Sequence, residues 1–219
     1  MTRFERFIVS RRLDLQRVNL WRHFRLLILV VYAFSSAPAK ADASFDDAMK
    51  VYRDHDYTRA FHLLEPMAVQ GNVEAAYLVG MMHEFGQGTV QSYAQAEVFL
   101  KKAAEAGNSE AQVRLAFLYA DGHLGNDRGK NAADWFEKAS HLGNPTAQAN
   151  LGVIYANGLG RMQNYVLGHM WANIAVANGN EKASEVREKI QSSMEKNLII
   201  EAQELARKCL SSNYVDCNH

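Results

Sequence analysis

Apolar positions recur along most of the chain at spacings of three and four residues, the period of an α-helix with one buried side. In residues 109–121 this stripe includes Ala111, Leu115 and Leu118. A glycine-containing loop follows, and a second stripe of the same period occupies residues 132–139. Each such stretch predicts a pair of helices joined by a short loop.

The helix pair repeats along the chain with a constant step of 36 residues. Equivalent positions are Gly71-Asn72, Gly107-Asn108, Gly143-Asn144 and Gly179-Asn180; Ala75, Ala111, Ala147 and Ala183; Gly86, Gly122 and Gly158; and Phe99, Trp135 and Trp171. A period between about 20 and 50 residues is typical of a solenoid or a related array. We therefore interpret the chain as an all-α repeat array with one helix pair per unit.

The Gly-Asn pairs mark the boundaries between units. A glycine can end a helix in the left-handed conformation, which a Cβ atom makes costly. The asparagine beside it can cap the next helix by accepting hydrogen bonds from free backbone N–H groups. Pro145 follows Asn144 directly, and proline suits the first position of a helix, where its missing N–H is not needed.

Residues 147–160 read A-x-x-x-L-G-x-x-Y-x-x-G-x-G, and residues 135–144 include Trp135-Phe136-Glu137-Lys138-Ala139 and Gly143-Asn144. This pattern resembles the Sel-1-like repeat, a branch of the tetratricopeptide superfamily, strongly over 73–180 and more weakly over 45–72. The chain departs from the pattern where His83 replaces a tyrosine, Ala116 a glycine and Gly168 an alanine.

The resemblance implies a right-handed α-solenoid of antiparallel helix pairs that binds or assembles other proteins. We assign the solenoid to residues 42–180, with a partial repeat at 45–72 and full repeats at 73–108, 109–144 and 145–180. Residues 181–219 are expected to form C-terminal capping helices and a tail.

The resemblance also implies that the first helix of each unit lines a concave surface. The positions there that core packing does not use are Glu74, Tyr77, Met81, Glu84, Glu110, Val113, Phe117, Thr146, Ala149 and Val153. We expect them to bind a protein or peptide partner, with the aromatic and Met residues as anchors and the glutamates attracting a basic partner. The alternative is that Tyr77, Met81, Phe117 and Val153 simply pack against neighbouring helices.

The first 41 residues differ from the repeat in charge and pattern. Seven arginines precede the apolar run from Leu26 to Phe34, and small residues follow up to Ala39-Lys40-Ala41. A positive start, a short apolar stretch and an A-x-A end form the signature of a secretory signal peptide. The apolar run is short for a bilayer span, which needs about 20 residues. We expect cleavage after Ala41 and no stable membrane insertion afterwards; an uncleaved anchor is the alternative.

Removal of this segment makes the protein acidic. Residues 1–41 hold 8 of the 24 basic and 2 of the 24 acidic residues, which leaves 16 basic and 22 acidic residues and a net charge of −6. Binding to phosphate groups requires Lys and Arg, so this balance argues against a nucleic acid partner. A periplasmic scaffold fits best, and a secreted factor acting on a host or neighbouring cell is the alternative.

The two cysteines, Cys209 and Cys217, lie close together near the C-terminus. Two thiols in an exported chain most often pair, so we predict a disulfide between them. A metal site formed by Cys209, Cys217 and His219 is a weaker alternative because it lacks a fourth ligand.

Catalytic patterns in the sequence are incomplete. Some disulfide-rich secreted members of the family are linked to β-lactam binding and hydrolysis. Here Ser193-Met194-Glu195-Lys196 spells S-x-x-K and Ser211-Ser212-Asn213 spells S-x-N, but no K-T-G follows. The histidines at 55, 62, 83, 123, 141, 169 and 219 lack metal-ligand spacing, and we interpret them as surface or satisfied packing positions. We expect no catalytic residues, metal or cofactor; a β-lactam-binding or β-lactam-hydrolysing enzyme is the alternative.

Overall fold

The computed structural model describes residues 44–217, so the predicted signal peptide at 1–41 lies outside the described residues. Between Ser44 and Cys217 the chain forms ten α-helices. They are α1 Phe45–Arg53, α2 Tyr57–Val69, α3 Val73–Phe85, α4 Tyr93–Glu105, α5 Ser109–Ala120, α6 Arg128–His141, α7 Pro145–Asn157, α8 Tyr165–Ala177, α9 Ala183–Gln191 and α10 Lys196–Ser211. Consecutive helices pack in pairs from α1 to α8. The all-α solenoid predicted from the repeat is confirmed.

Three of the four Gly-Asn pairs act as the sequence predicts. Gly107 and Gly143 follow α4 and α6 with left-handed φ angles of 91° and 82°. Asn108 caps α5, where its Oδ1 accepts a hydrogen bond from the Ala111 N–H at 2.8 Å, and Asn144 caps α7 in the same way. Pro145 occupies the first turn of α7, as predicted.

The fourth pair departs from this pattern. The helix after Gly179-Asn180 begins only at Ala183, and its N-cap, Lys182, makes no capping hydrogen bond through its side chain. Asn180 instead donates from Nδ2 to the carbonyl oxygen of Pro145 at 3.1 Å. The last pair therefore ends α8 but does not start the next helix.

Large aromatic and very small residues together set the packing between helices. Trp171 is fully buried, and Phe99 and Trp135 at the equivalent positions are buried too. Gly152 and Gly168 lie against each other: a Cβ atom on Gly152 would stand 3.0 Å from the carbonyl oxygen of Gly168. Gly168 therefore allows α7 and α8 to approach closely at a position where the repeat has alanine.

The C-terminal helices cover the end of the array. Helix α9 packs on α7 and α8, and α10 packs on α8. The predicted disulfide joins Cys209 and Cys217 and both residues are buried, so these two thiols are not free to bind a metal. Within the part of the chain that the structure describes, every helix is too short or too polar to span a bilayer.

Candidate functional site: the first-helix face

The ten residues predicted to bind a partner lie on α3, α5 and α7, the first helices of the three full units. The exposed ones are Glu74, Glu110 and Thr146; the half-buried ones are Tyr77, Met81, Phe117, Ala149 and Val153; the buried ones are Glu84 and Val113. We call the eight exposed or half-buried residues the first-helix face. Glu84 and Val113 contribute little surface to it because the folded chain covers them.

The glutamates at the starts of α3 and α5 are hydrogen-bonded within the array. Asn108 donates from Nδ2 to Glu74 at 3.3 Å, and Asn144 donates from Nδ2 to Glu110 at 2.7 Å. The amide donors are neutral, so neither hydrogen bond pairs its glutamate with a positive charge. These two residues therefore connect successive units, a role that the sequence pattern did not indicate.

Glu84 also connects two units. Its Oε1 lies 3.4 Å from Nη1 of Arg114 on α5, and the Arg114 guanidinium lies 5.3 Å from the centroid of the Phe85 ring. Burial raises the pKa of the Glu84 carboxyl above its ordinary value, while the charges of Arg114 and His123 partly oppose this. Glu84 thus faces its own chain and not an open surface.

The aromatic residues of the first-helix face combine packing with exposure. The rings of Phe117 and Phe136 meet edge to face with centroids 5.1 Å apart. Tyr77 and Phe117 both pack against the main core cluster, and burial raises the pKa of the Tyr77 hydroxyl. Tyr77 and Phe117 therefore pack against neighbouring helices with part of the side chain, while the remaining part is open to solvent.

Two clefts open beside α7. The larger, of about 630 Å³, lies between the starts of α7 and α9 and is lined in part by Thr146 and Ala149. The smaller, of about 250 Å³, is lined in part by Val153 and Tyr165. Val186 of α9 borders both clefts.

The clefts lie where the side chains of the first-helix face are smallest. One position of the first helix is Tyr77, Val113 and Ala149 in the three successive units. A second position is Met81, Phe117 and Val153. The side chains of the face therefore become smaller from α3 to α7, and the clefts lie beside the small side chains of α7.

Sequence reasoning missed the residues that α9 contributes. Val186, Lys182 and Lys189 line the clefts, as do Asn150 and Asn157 of α7. Ala183, which stands one period after Ala147, was the signal that could have placed α9 in register with another first helix.

Two of the histidines occupy buried positions. His83 lies between Phe61 and Phe99, with ring centroids 5.2 and 5.7 Å away, and His169 is fully buried. Nδ1 of each ring has no hydrogen-bond partner among residues 44–217, so the prediction of satisfied packing positions fails for that atom of both rings. Nε2 of His169 is paired, because it lies 3.4 Å from Oε1 of Gln191. Over the same range, no three His, Cys, Asp or Glu side chains are grouped to hold a metal ion.

The serine patterns of the sequence do not meet in space. Ser193 precedes α10 and Asn213 follows it. A helix of 16 residues is about 24 Å long at 1.5 Å per residue. The S-x-x-K and S-x-N fragments therefore lie at opposite ends of α10 and do not form one site.

Comparison with known proteins gives one family. The model of the Sel1 repeat matches residues 48–72, 73–108, 109–144 and 145–180. The crystal structure of a Sel1 repeat protein from Oxalobacter formigenes is similar, with 34% sequence identity and a TM-score of 0.53, over 57% of this chain and 95% of that chain. A protective antigen of uropathogenic Escherichia coli strains with an SLR fold is 21% identical over 77% of this chain and 54% of that chain, with a TM-score of 0.37. No curated protein matches the chain.

Proposed function

Because the chain belongs to the Sel1 repeat family, we propose that it is a non-catalytic scaffold of the bacterial cell envelope that binds a protein or peptide partner. The observation that carries the proposal is the first-helix face. It combines half-buried apolar side chains with two clefts. Such a surface can bind the apolar side of a partner's helix, or an extended segment of a partner.

The charges of the face support a partner with a basic segment. Glu74 and Glu110 are exposed, and their hydrogen bonds come from neutral amides. Charges at the rim of an interface mainly raise the rate of association and select the partner. The apolar side chains supply the affinity in this proposal.

Export supports the envelope as the place of action. The basic start, apolar run and A-x-A end before Asp42 are those of a signal peptide. The buried disulfide agrees with an oxidising compartment. Fractionation of cells tests the location: retention in the periplasm supports the envelope scaffold, whereas release into the medium favours a secreted factor.

Crosslinking in the intact envelope, followed by identification of the captured proteins, tests the function. We expect one specific partner to be captured by the parent protein. Ala149→Trp, which fills the larger cleft, should abolish capture. Val98→Trp is the matched control, because Val98 is 48% exposed on α4, a second helix.

Circular dichroism must first show that both variants are folded, so that a loss of capture cannot result from unfolding. Capture that survives in Ala149→Trp moves the site away from this cleft. Absence of any specific partner in the envelope and in the medium contradicts the scaffold function. Hydrolysis of nitrocefin or another hydrolase substrate by the purified protein contradicts the non-catalytic assignment.

A further inference from the structure

The turn that follows α10 contacts two earlier units through one residue, Tyr214. The Tyr214 carbonyl oxygen lies 2.7 Å from Nδ1 of His141, the last residue of α6. The Tyr214 hydroxyl accepts a hydrogen bond from Nδ2 of Asn178, the C-cap of α8, at 2.8 Å. Its ring lies beside Gly143, where an added Cβ would stand 3.1 Å from the ring. We call this contact region, formed by His141, Gly143 and Asn178, the Tyr214 socket.

The backbone of the same turn is unusual. Asn213 and Tyr214 have φ angles of 52° and 68°, in the left-handed region. That region is uncommon for tyrosine and persists only where the surrounding structure imposes it. The disulfide between Cys209 and Cys217 closes the turn around these two residues. Ring closure and the socket, and not local preference, hold Tyr214 in place.

We propose that this disulfide-closed turn is a redox-dependent latch that ties α10 to the ends of α6 and α8. With the disulfide formed, Tyr214 stays in its socket and its contacts hold the ends of the last two full units against the C-terminal turn. With the disulfide reduced, the turn relaxes to ordinary backbone conformations and Tyr214 leaves the socket. The order of α10 and of the adjoining helix ends therefore follows the oxidation state of the two cysteines. The latch does not depend on any partner of the first-helix face.

The reaction is thiol–disulfide exchange with a dithiol reductant. One reductant thiolate attacks one protein sulfur, which breaks the Cys209–Cys217 bond, forms a mixed disulfide and releases the other cysteine as a thiolate. The second reductant thiolate then attacks the reductant sulfur of the mixed disulfide, forms the reductant's own disulfide and releases the second cysteine. The products are two protein thiols and the oxidised reductant, with two electrons and two protons transferred. Cys209 and Cys217 are 0% and 1% exposed, so the turn must open before attack. The contacts of Tyr214 therefore control the rate of reduction.

The first experiment measures the rate at which dithiothreitol reduces the native mature protein, by alkylation of free thiols and mass spectrometry. Tyr214→Ala removes the ring and the hydrogen bond to Asn178 and leaves the backbone carbonyl in place, and we expect reduction at least about tenfold faster, as the loss of a hydrogen bond and of packing implies. Tyr214→Phe breaks only the hydrogen bond from Asn178, so it should give a smaller increase. Val215→Ala is the matched control because Val215 is 79% exposed, and it should keep the parent rate. A parent-like rate in Tyr214→Ala overturns the proposal.

The second experiment compares hydrogen exchange in the oxidised protein, the reduced protein and the Cys209→Ser/Cys217→Ser variant. The latch predicts faster exchange in α10 and in the last turns of α6 and α8 in both disulfide-free forms, with α1 to α5 unchanged. Equal protection in all three proteins contradicts a latch. Loss of protection throughout α1 to α5 also contradicts it, because the disulfide would then be required for the whole array.

Discussion

Asn108 and Asn144, which each precede a full unit and cap its first helix, use both ends of the side-chain amide. In Asn144, Oδ1 accepts hydrogen bonds from the N–H groups of Thr146 and Ala147 at 3.1 Å, while Nδ2 donates to Glu110 at 2.7 Å. A side-chain amide offers one acceptor oxygen and an NH₂ group with two donors. The helix cap can be predicted from the sequence because it joins neighbouring residues. The donor half joins residues 34 positions apart, which the pattern within one unit does not reveal.

Asn144→Asp separates these two roles. Aspartate caps a helix as well as asparagine does, but it loses the donor and places a second carboxylate beside Glu110. We expect the free energy of unfolding to fall by about 1.5–3 kcal/mol at neutral pH, the range for a hydrogen bond to a charged group. Most of this loss should be recovered in the double variant Asn144→Asp/Glu110→Gln.

Urea denaturation of the parent, both single variants and the double variant completes the cycle. If Asn144→Asp alone is as stable as the parent, the contact with Glu110 does not join the units.

Gly107→Ala and Gly143→Ala should differ in cost although both residues end a helix with positive φ. An added Cβ on Gly107 meets nothing within 4 Å, so we expect only the conformational cost of about 1 kcal/mol. At Gly143 the Cβ also meets the ring of Tyr214, and the loss should be larger. Denaturant melts of the two variants test this order, and equal losses would mean that Tyr214 moves aside freely.

At the scale of elements, the sequence predicted the helices better than the surface between them. Apolar stripes and Gly-Asn pairs depend on neighbours a few residues away, and they predicted α3 to α8 well. Burial depends on helices from other units, so the buried positions of Glu84 and Val113 could not be read from one stripe. Helix α9 shows the same limit, because its Gly-Asn pair lacks the cap and its side chains border the clefts.

The contact between α8 and α9 should make stability depend on pH. Burial lowers the pKa of the His169 imidazole; the hydrogen bond to Gln191 opposes this shift, and the charge of Arg187 adds to it. The unfolded chain therefore takes up the proton first as the pH falls. The contribution of His169 to stability is complete above the unfolded pKa of about 6.5, and it is lost as the pH falls through the lowered pKa of the folded state.

His169→Gln should reduce the difference in unfolding free energy between neutral and mildly acidic solution. Chemical denaturation of the parent and the variant at several pH values between about 7.5 and 5 checks this. His62→Gln, at an exposed site on α2, is the matched control for the loss of an imidazole. An unchanged pH profile in His169→Gln would show that α8 and α9 tolerate the charged ring.

At the scale of the whole molecule, the repeat predicted the architecture because one period specifies every unit. The same register placed the first-helix face, since equivalent positions lie on equivalent sides of α3, α5 and α7. The period could not give the chemistry of the face, because that lies in the differences between units. The series from Tyr77 to Val113 to Ala149 opens space beside α9, and this depends on which side chains α9 supplies.

Export should leave a mature protein that begins at or near Asp42 with a net charge of −6 for residues 42–219. The expectation follows from the A-x-A end after an apolar run that is short for a membrane span. N-terminal sequencing of protein recovered from the envelope checks the cleavage site. A mature protein that still contains the run from Leu26 to Phe34 would favour the uncleaved anchor.

Binding by the first-helix face is best tested at Met81, because packing and recognition can be separated there. Phe117 packs against the core cluster and against Phe136, so Phe117→Ala should lose both stability and affinity. Met81 is half-buried and, within residues 44–217, is not among the side chains packed against that cluster. Met81→Ala should therefore keep most of its stability while affinity for the captured partner falls by about 1–3 kcal/mol, as at an interface hot spot. Titration calorimetry with the captured partner, after thermal melts of each variant, measures the two effects separately. If folded Met81→Ala and Phe117→Ala bind as tightly as the parent, the partner does not contact these positions of α3 and α5. The capture test with Ala149→Trp then separates binding beside α7 from binding at the second helices, the loops or the C-terminal tail.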